Sequence, residues 1–123
     1  MSKRDPRLFL IDILEATAHI AEYTDGMSYD DFLEQRMVRD AVVRNLEIIG
    51  EASRQLPEEL RLRFSQIPWS RMMGFRNVAI HAYSTVDWQS VWEIRTRYLP
   101  DLGKQITRIL DELALESSEE GDQ

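Results

Sequence analysis

Three observations make this 123-residue chain all-α. Its apolar residues recur at helical rather than alternating spacing, its 5 Gly and 4 Pro fall at a few breakpoints, and it has no cysteine to staple a loop-rich fold. The expected architecture is one helical domain over residues 1–115, an antiparallel four-helix-type bundle with an additional short helix. A disordered acidic tail is expected over 116–123. A chain of this length buries enough surface to hold a core without metal or disulfide.

The elements follow in order. Asp5 and Pro6 form an N-cap and first helical position for a helix reaching about Tyr23, with Leu8, Ile11, Leu14 and Ala18 on one stripe. Thr24-Asp25-Gly26 stops it, and Ser28 stands three residues before Asp31 as a capping-box start for a short turn through Phe32 and Leu33. A long helix over about 34–56 buries Val38, Ala41, Val42, Ile48, Ile49, Ala52 and Leu56, with Asn45 on the same face. Gly50 lies inside that helix, where it costs about 1 kcal/mol against Ala, so close approach of another helix is expected there. Pro57 opens a short helix ending near Phe64, and Ile67-Pro68-Trp69 re-aims the chain into a helix over about 69–83. Ser84-Thr85-Val86-Asp87 is a loop and cap before the last helix, about 88–115, which Pro100 should kink or break after Leu99.

The net charge is -7, with 15 Lys plus Arg against 22 Asp plus Glu. Six acidic residues and no basic one lie in 111–123, so the body is nearly neutral. Between Phe32 and Arg97 ten arginines face eight acids, and a low overall charge therefore does not forbid an anionic ligand. Without Cys, a thiolate zinc site and a thiol nucleophile are excluded. No apolar run approaches the roughly 18–20 residues of a membrane span, and no apolar stretch backs the N-terminal Met-Ser-Lys-Arg-Asp-Pro-Arg. A soluble, cytoplasmic protein is expected.

Only two histidines exist. His19 stands among Ala18 and Ile20 without a charged cluster and reads as a packing or surface residue. His81 stands in a denser patch with Arg71, Arg76, Asn77, Tyr83 and Ser84. An arginine stabilises negative charge on phosphoryl oxygens, and a neutral imidazole can take a proton from a ribose hydroxyl near neutral pH, so the pair suits a phosphodiester without metal or cofactor. Helix geometry constrains the pair. Arg76 and His81 are five residues apart, about 140° around an ideal helix. Either the helix loosens near His81, or two copies of the chain build the site across a symmetric interface. Glu51, beside Gly50, suits a pairing role toward an arginine. Trp69, Trp88 and Trp92 suit packing better than base stacking, Trp88 and Trp92 being i and i+4.

The segment Gly74-Phe75-Arg76-Asn77-Val78-Ala79-Ile80-His81-Ala82-Tyr83 resembles the Arg-x-x-x-x-His-x-Tyr motif of the HepT-like proteins of the HEPN superfamily. The likeness continues in order through Arg39-Asp40-Ala41, Leu46-Glu47-Ile48-Ile49-Gly50-Glu51-Ala52, Ile67-Pro68-Trp69, Val86-Asp87, Val91-Trp92-Glu93-Ile94 and Leu99-Pro100-Asp101-Leu102, covering about residues 5–110. Ala82 departs from the Gly or Glu that relatives often carry. The resemblance implies a homodimeric, metal-independent endoribonuclease, the toxin of a toxin–antitoxin pair whose antitoxin is an MntA-like nucleotidyltransferase. It implies that Arg76 and His81 are catalytic, with RNA cleaved by 2′-hydroxyl attack. By the same resemblance Asn77 supports them, and Tyr83 is adenylylated by the partner. The alternative is a non-catalytic module in which the same patch binds a nucleotide or docks a partner.

Overall fold

A computed structural model describes residues 4–80 and 87–121. The described residues form α1 (Pro6–Tyr23), α2 (Tyr29–Glu34), α3 (Arg36–Gln55), α4 (Glu58–Arg63), α5 (Trp69–Ile80), α6 (Trp88–Glu93), a π-helical turn (Ile94–Tyr98) and α7 (Leu99–Gly121). No strand occurs among them. The all-α bundle read from the sequence is the observed fold. α3 packs against α1 on one side and α5 on the other, and α1 also meets α7.

The helix starts follow their local signals. The Asp5 side chain accepts from the Arg7 N–H at 2.9 Å, with Pro6 in the first turn. The Ser28 hydroxyl accepts from the Asp31 N–H while the Asp31 carboxylate accepts from the Ser28 N–H, a complete capping box for α2. Asp87 caps α6 by accepting from the Ser90 N–H.

The core is built from Leu10, Ile13 and Ile20 of α1, Val42, Leu46 and Ile49 of α3, Met72 and Phe75 of α5, and Leu99, Leu102, Ile106 and Ile109 of α7. The α1 stripe expected from the sequence is corrected here. Leu8 and Ile11 stay exposed at 42% and 36%, and Leu10, Ile13, Ala16 and Ile20 are buried instead. The N-terminal half of α1 is apolar nearly all round, so its pattern fits two stripes, and contact with α3 and α7 selects one. Phe32 of α2 is fully buried between Trp88 and Trp92, with ring centroids 5.9 and 5.0 Å away, which closes one end of the bundle. Burying such a ring stabilises by about 2–3 kcal/mol. The tryptophans are therefore packing residues, and the Trp69 indole donates to the Phe64 carbonyl at 3.1 Å.

Buried polar side chains bond to their own helices. Asn45 donates to the Ala41 carbonyl, Ser53 to Ile49, Thr17 to Leu14 and Thr24 to Ile20, all within 2.9 Å. Thr24 also anchors Arg95, whose Nε donates to the Thr24 hydroxyl at 2.7 Å and whose Nη2 donates to its carbonyl at 3.0 Å.

Pro100 does not break the last helix. The helical path is continuous from Trp88 to Gly121, and the ladder widens to a π-turn just before the proline, the Leu99 N–H donating to the Ile94 carbonyl. One extra residue in the turn accommodates a ring that cannot donate and that crowds the preceding turn of a regular helix. The helix also runs on to Gly121, beyond the expected end at Leu115. No helix-breaking residue intervenes before Gly121, and Arg63 at the end of α4 pairs with Glu116 and, at 3.9 Å, with Glu112.

Three carboxyls are held below their ordinary range by hydrogen bonds: Asp5 by the Arg7 side chain, Asp87 by the Ser90 hydroxyl, and Glu116 by the Arg63 guanidinium. A carboxyl with a lower pKa folded than unfolded contributes stability that is present above the ordinary carboxylate value and lost as pH falls through the folded one. Thermal unfolding followed downward from neutral pH should therefore show Tm falling below about pH 4, and less steeply for an Asp5→Asn, Asp87→Asn chain. An unchanged profile in that variant would contradict the assignment.

Candidate active site at the contact of α3 and α5

The site begins with a missing side chain. A Cβ built on Gly50 would lie 2.9 Å from the Arg76 backbone nitrogen, 3.2 Å from the Arg76 Cβ and 3.2 Å from the Met72 carbonyl oxygen. Two of these neighbours are backbone and cannot swing away, so α3 and α5 meet at this separation only because position 50 is glycine. The close approach expected from the sequence is observed, and the residue that it brings up is Arg76.

Glu51 follows Gly50 on α3, and its Oε1 lies 2.8 Å from the Arg76 Nε. This is the pairing role read for Glu51 from the sequence. Oε1 is shielded from solvent and receives no well-aligned hydrogen bond from the described residues, so charge rather than hydrogen-bond direction holds its contact with Arg76. The Arg76 and Glu51 side chains remain 42% and 39% exposed, so the pair itself adds only about 0–1 kcal/mol of stability. Nε is one edge of the guanidinium, and the terminal nitrogens are the fork that matches a phosphate.

Asn77, the next residue on α5, is exposed. His81 and Tyr83 lie outside the described residues. α5 is regular α-helix through Ile80, so up to that residue nothing relieves the angular offset expected between positions 76 and 81. His19 is exposed and stacks on Tyr23 at 5.9 Å, in keeping with a surface role.

Most of the other arginines around the bundle have structural partners. Arg39, Arg95 and Arg71 lie over Trp88, Trp92 and Tyr98 at 5.0, 4.8 and 4.5 Å, fastening α6 and the π-turn to the rest of the bundle. Tyr98 is a residue that sequence reasoning missed. Its hydroxyl is buried and has no hydrogen-bond partner among the described residues, burial raises its pKa against the opposing charge of Arg71, and its ring meets Phe75 edge-on at 5.9 Å. Its only sequence signal is its place two residues before Pro100.

A cavity of about 660 Å³ lies in a different seam, between α1 and α7, lined by Leu14, Ala18, Ala21, Pro100 and Gly103. Lys104 and Arg108 border it, and its threonines 17, 96 and 107 donate to their own helix carbonyls. It holds neither a histidine nor a carboxylate. Arg76 and Glu51 are at the α3–α5 contact instead.

Residues 13–109 match the family model described as ribonuclease HepT-like. The chain belongs to the HepT-like ribonuclease family. The matched span contains Gly50, Glu51, Arg76, His81 and Tyr83. A protein of Methanocaldococcus jannaschii, provisionally named an RNase, is 42% identical over 106 residues, covering 86% of this chain and 97% of its own. A Caldanaerobacter subterraneus protein with the same provisional name is 38% identical over 107 residues, covering 87% and 96%. A Thermococcus cleftensis protein, provisionally named ribonuclease HepT, is 39% identical over 100 residues, covering 81% and 91%. No solved structure matches this HepT-like chain. Among its described residues no helix is long and apolar enough to cross a membrane.

Proposed function

We propose that this protein is a metal-independent endoribonuclease toxin, neutralised when a cognate MntA-like nucleotidyltransferase adenylylates Tyr83. The observation that carries the reading is the setting of Arg76. The chain keeps a glycine so that α5 can bring this arginine against α3, and a carboxylate then meets one edge of its guanidinium. Membership in a ribonuclease family supports RNA as the substrate.

In the proposed reaction the ribose 2′-hydroxyl attacks the adjacent phosphorus. His81 takes the hydroxyl proton, a new O2′–P bond forms, and the P–O5′ bond breaks with return of a proton to the departing oxygen. The products are a 2′,3′-cyclic phosphate and a 5′-hydroxyl. Arg76 stabilises the charge that builds on the phosphoryl oxygens, and Asn77 helps to hold the phosphate or the imidazole. A homodimer resolves the angular offset of Arg76 and His81 by drawing them from different copies. Adenylylation of Tyr83 sets an anionic phosphate two residues from His81, where it competes with RNA for the positive field of Arg76.

Expression in a bacterial host tests the reading. The chain alone should arrest growth, and Arg76→Ala and His81→Ala chains should not. Co-expression of the nucleotidyltransferase should relieve the parent and leave a Tyr83→Phe chain toxic. Growth arrest by the Arg76→Ala chain would refute the catalytic assignment, and relief of a toxic Tyr83→Phe chain would refute the modification site.

A further inference from the structure

We propose that Glu51 is a positioning residue for Arg76, holding its guanidinium at the Nε edge by charge so that the group stays within reach of the phosphoryl oxygens; this rests on the nuclease reading above. The placement is rigid because it is made twice. Gly50 fixes the α3 backbone against the α5 backbone at Arg76, and one residue later Glu51 meets the Arg76 Nε at 2.8 Å. The carboxylate thus springs from the residue next to the helix contact that fixes the arginine's own Cα. A long, freely rotating arginine delivers its charge over a wide volume, whereas one held at Nε presents its two terminal nitrogens in a defined direction.

The contact also divides the charge in a useful way. Glu51 offsets part of the Arg76 charge in the resting site, which weakens attraction for a singly charged phosphodiester. The pentavalent transition state carries more negative charge and gains more from an aligned cation. Orientation therefore contributes to turnover more than to ground-state binding. The burial of Glu51 Oε1 supports this, since the oxygen facing Nε is shielded from water.

The test separates orientation from charge and from folding. Purified parent, Arg76→Ala, Glu51→Ala, Glu51→Gln and Glu51→Asp chains are compared for kcat and KM on one short RNA, with Tm measured for each. Glu51→Ala should lose about 10- to 100-fold in kcat without a rise in KM. Glu51→Gln keeps the length but removes the charge that holds the contact, so it should lose kcat as Glu51→Ala does, while KM falls since the competing charge is gone. Glu51→Asp retracts the carboxylate by one methylene and should stay slow despite its charge. All four variants should unfold within a few degrees of the parent. A Glu51→Ala chain with parental kcat, beside an inactive Arg76→Ala chain, would overturn the positioning role and leave the nuclease reading intact. Losses in the Glu51 variants that track a common drop in Tm would also overturn it, since that is the pattern of a purely structural contact. A parent that turns over no RNA would overturn both.

Discussion

Replacing Arg76 with alanine is expected to lower kcat/KM for RNA about 10²- to 10³-fold, the loss typical of removing one preorganised donor to a developing anion. Arg76→Lys should recover little, because an ammonium restores the charge without the two-pronged donor or the Nε edge that meets Glu51. His81→Ala should cost about 10²- to 10⁴-fold as the loss of a general base. Neither change should disturb the bundle through Arg76, whose pair is half exposed. Mixing the two inactive chains under conditions that exchange subunits carries more information than either alone. If one site takes Arg76 from one copy and His81 from the other, half of the sites in a mixed dimer hold both native residues, and up to about half of the parental activity returns. No recovery from verified mixed dimers would assign both residues to a single chain.

Gly50→Ala is expected to damage activity more than stability. The added methyl meets the Arg76 backbone nitrogen at 2.9 Å and the Met72 carbonyl at 3.2 Å, so the helices must separate. Overpacking of this kind costs about 1–3 kcal/mol, against a gain of about 1 kcal/mol from the better helix former. A net loss of roughly 0–2 kcal/mol should lower Tm by no more than about 8 °C. The displacement falls on the backbone that carries Arg76, and a shift approaching 1 Å costs on the order of 10²-fold in rate. Gly103→Ala is the control. Its Cβ would lie 3.7 Å from the Thr17 hydroxyl, an ordinary contact, so the same substitution in α7 should raise Tm and leave turnover unchanged. Equal effects of the two substitutions would remove the special status of the Gly50 contact.

These expectations depend on which parts of the molecule were legible in the sequence. The helical class, the Asp5 and Ser28 starts and the tight contact at Gly50 were legible because each follows from a local rule about a few neighbouring residues. The buried face of α1 was not, because Leu8, Phe9, Leu10, Ile11, Ile13 and Leu14 surround its first turns and the packing of α3 and α7 decides which of them are covered. The consequence of Pro100 was read in kind but not in form. A missing N–H requires some adjustment, and whether it becomes a kink or a π-turn depends on what anchors the turn, here Arg95 bonded to Thr24 and Tyr98 beneath Arg71. Within the site, Arg76 was found by its motif and Glu51 by its place beside Gly50. The ion pair between them spans 25 positions in sequence, and no local pattern encodes its distance. His81 and Tyr83 lie outside the described residues, and the roles proposed for them and for Asn77 rest on the resemblance.

The most direct test of the central claim is incubation of the purified, unmodified chain with RNA in EDTA beside the Arg76→Ala, His81→Ala double variant, with the intact mass of each chain checked for adenylylation. The account predicts cleavage by the parent alone, leaving 2′,3′-cyclic phosphate and 5′-hydroxyl ends. Loss of all cleavage in EDTA with recovery on adding a divalent cation, or equal cleavage by the double variant, would contradict it.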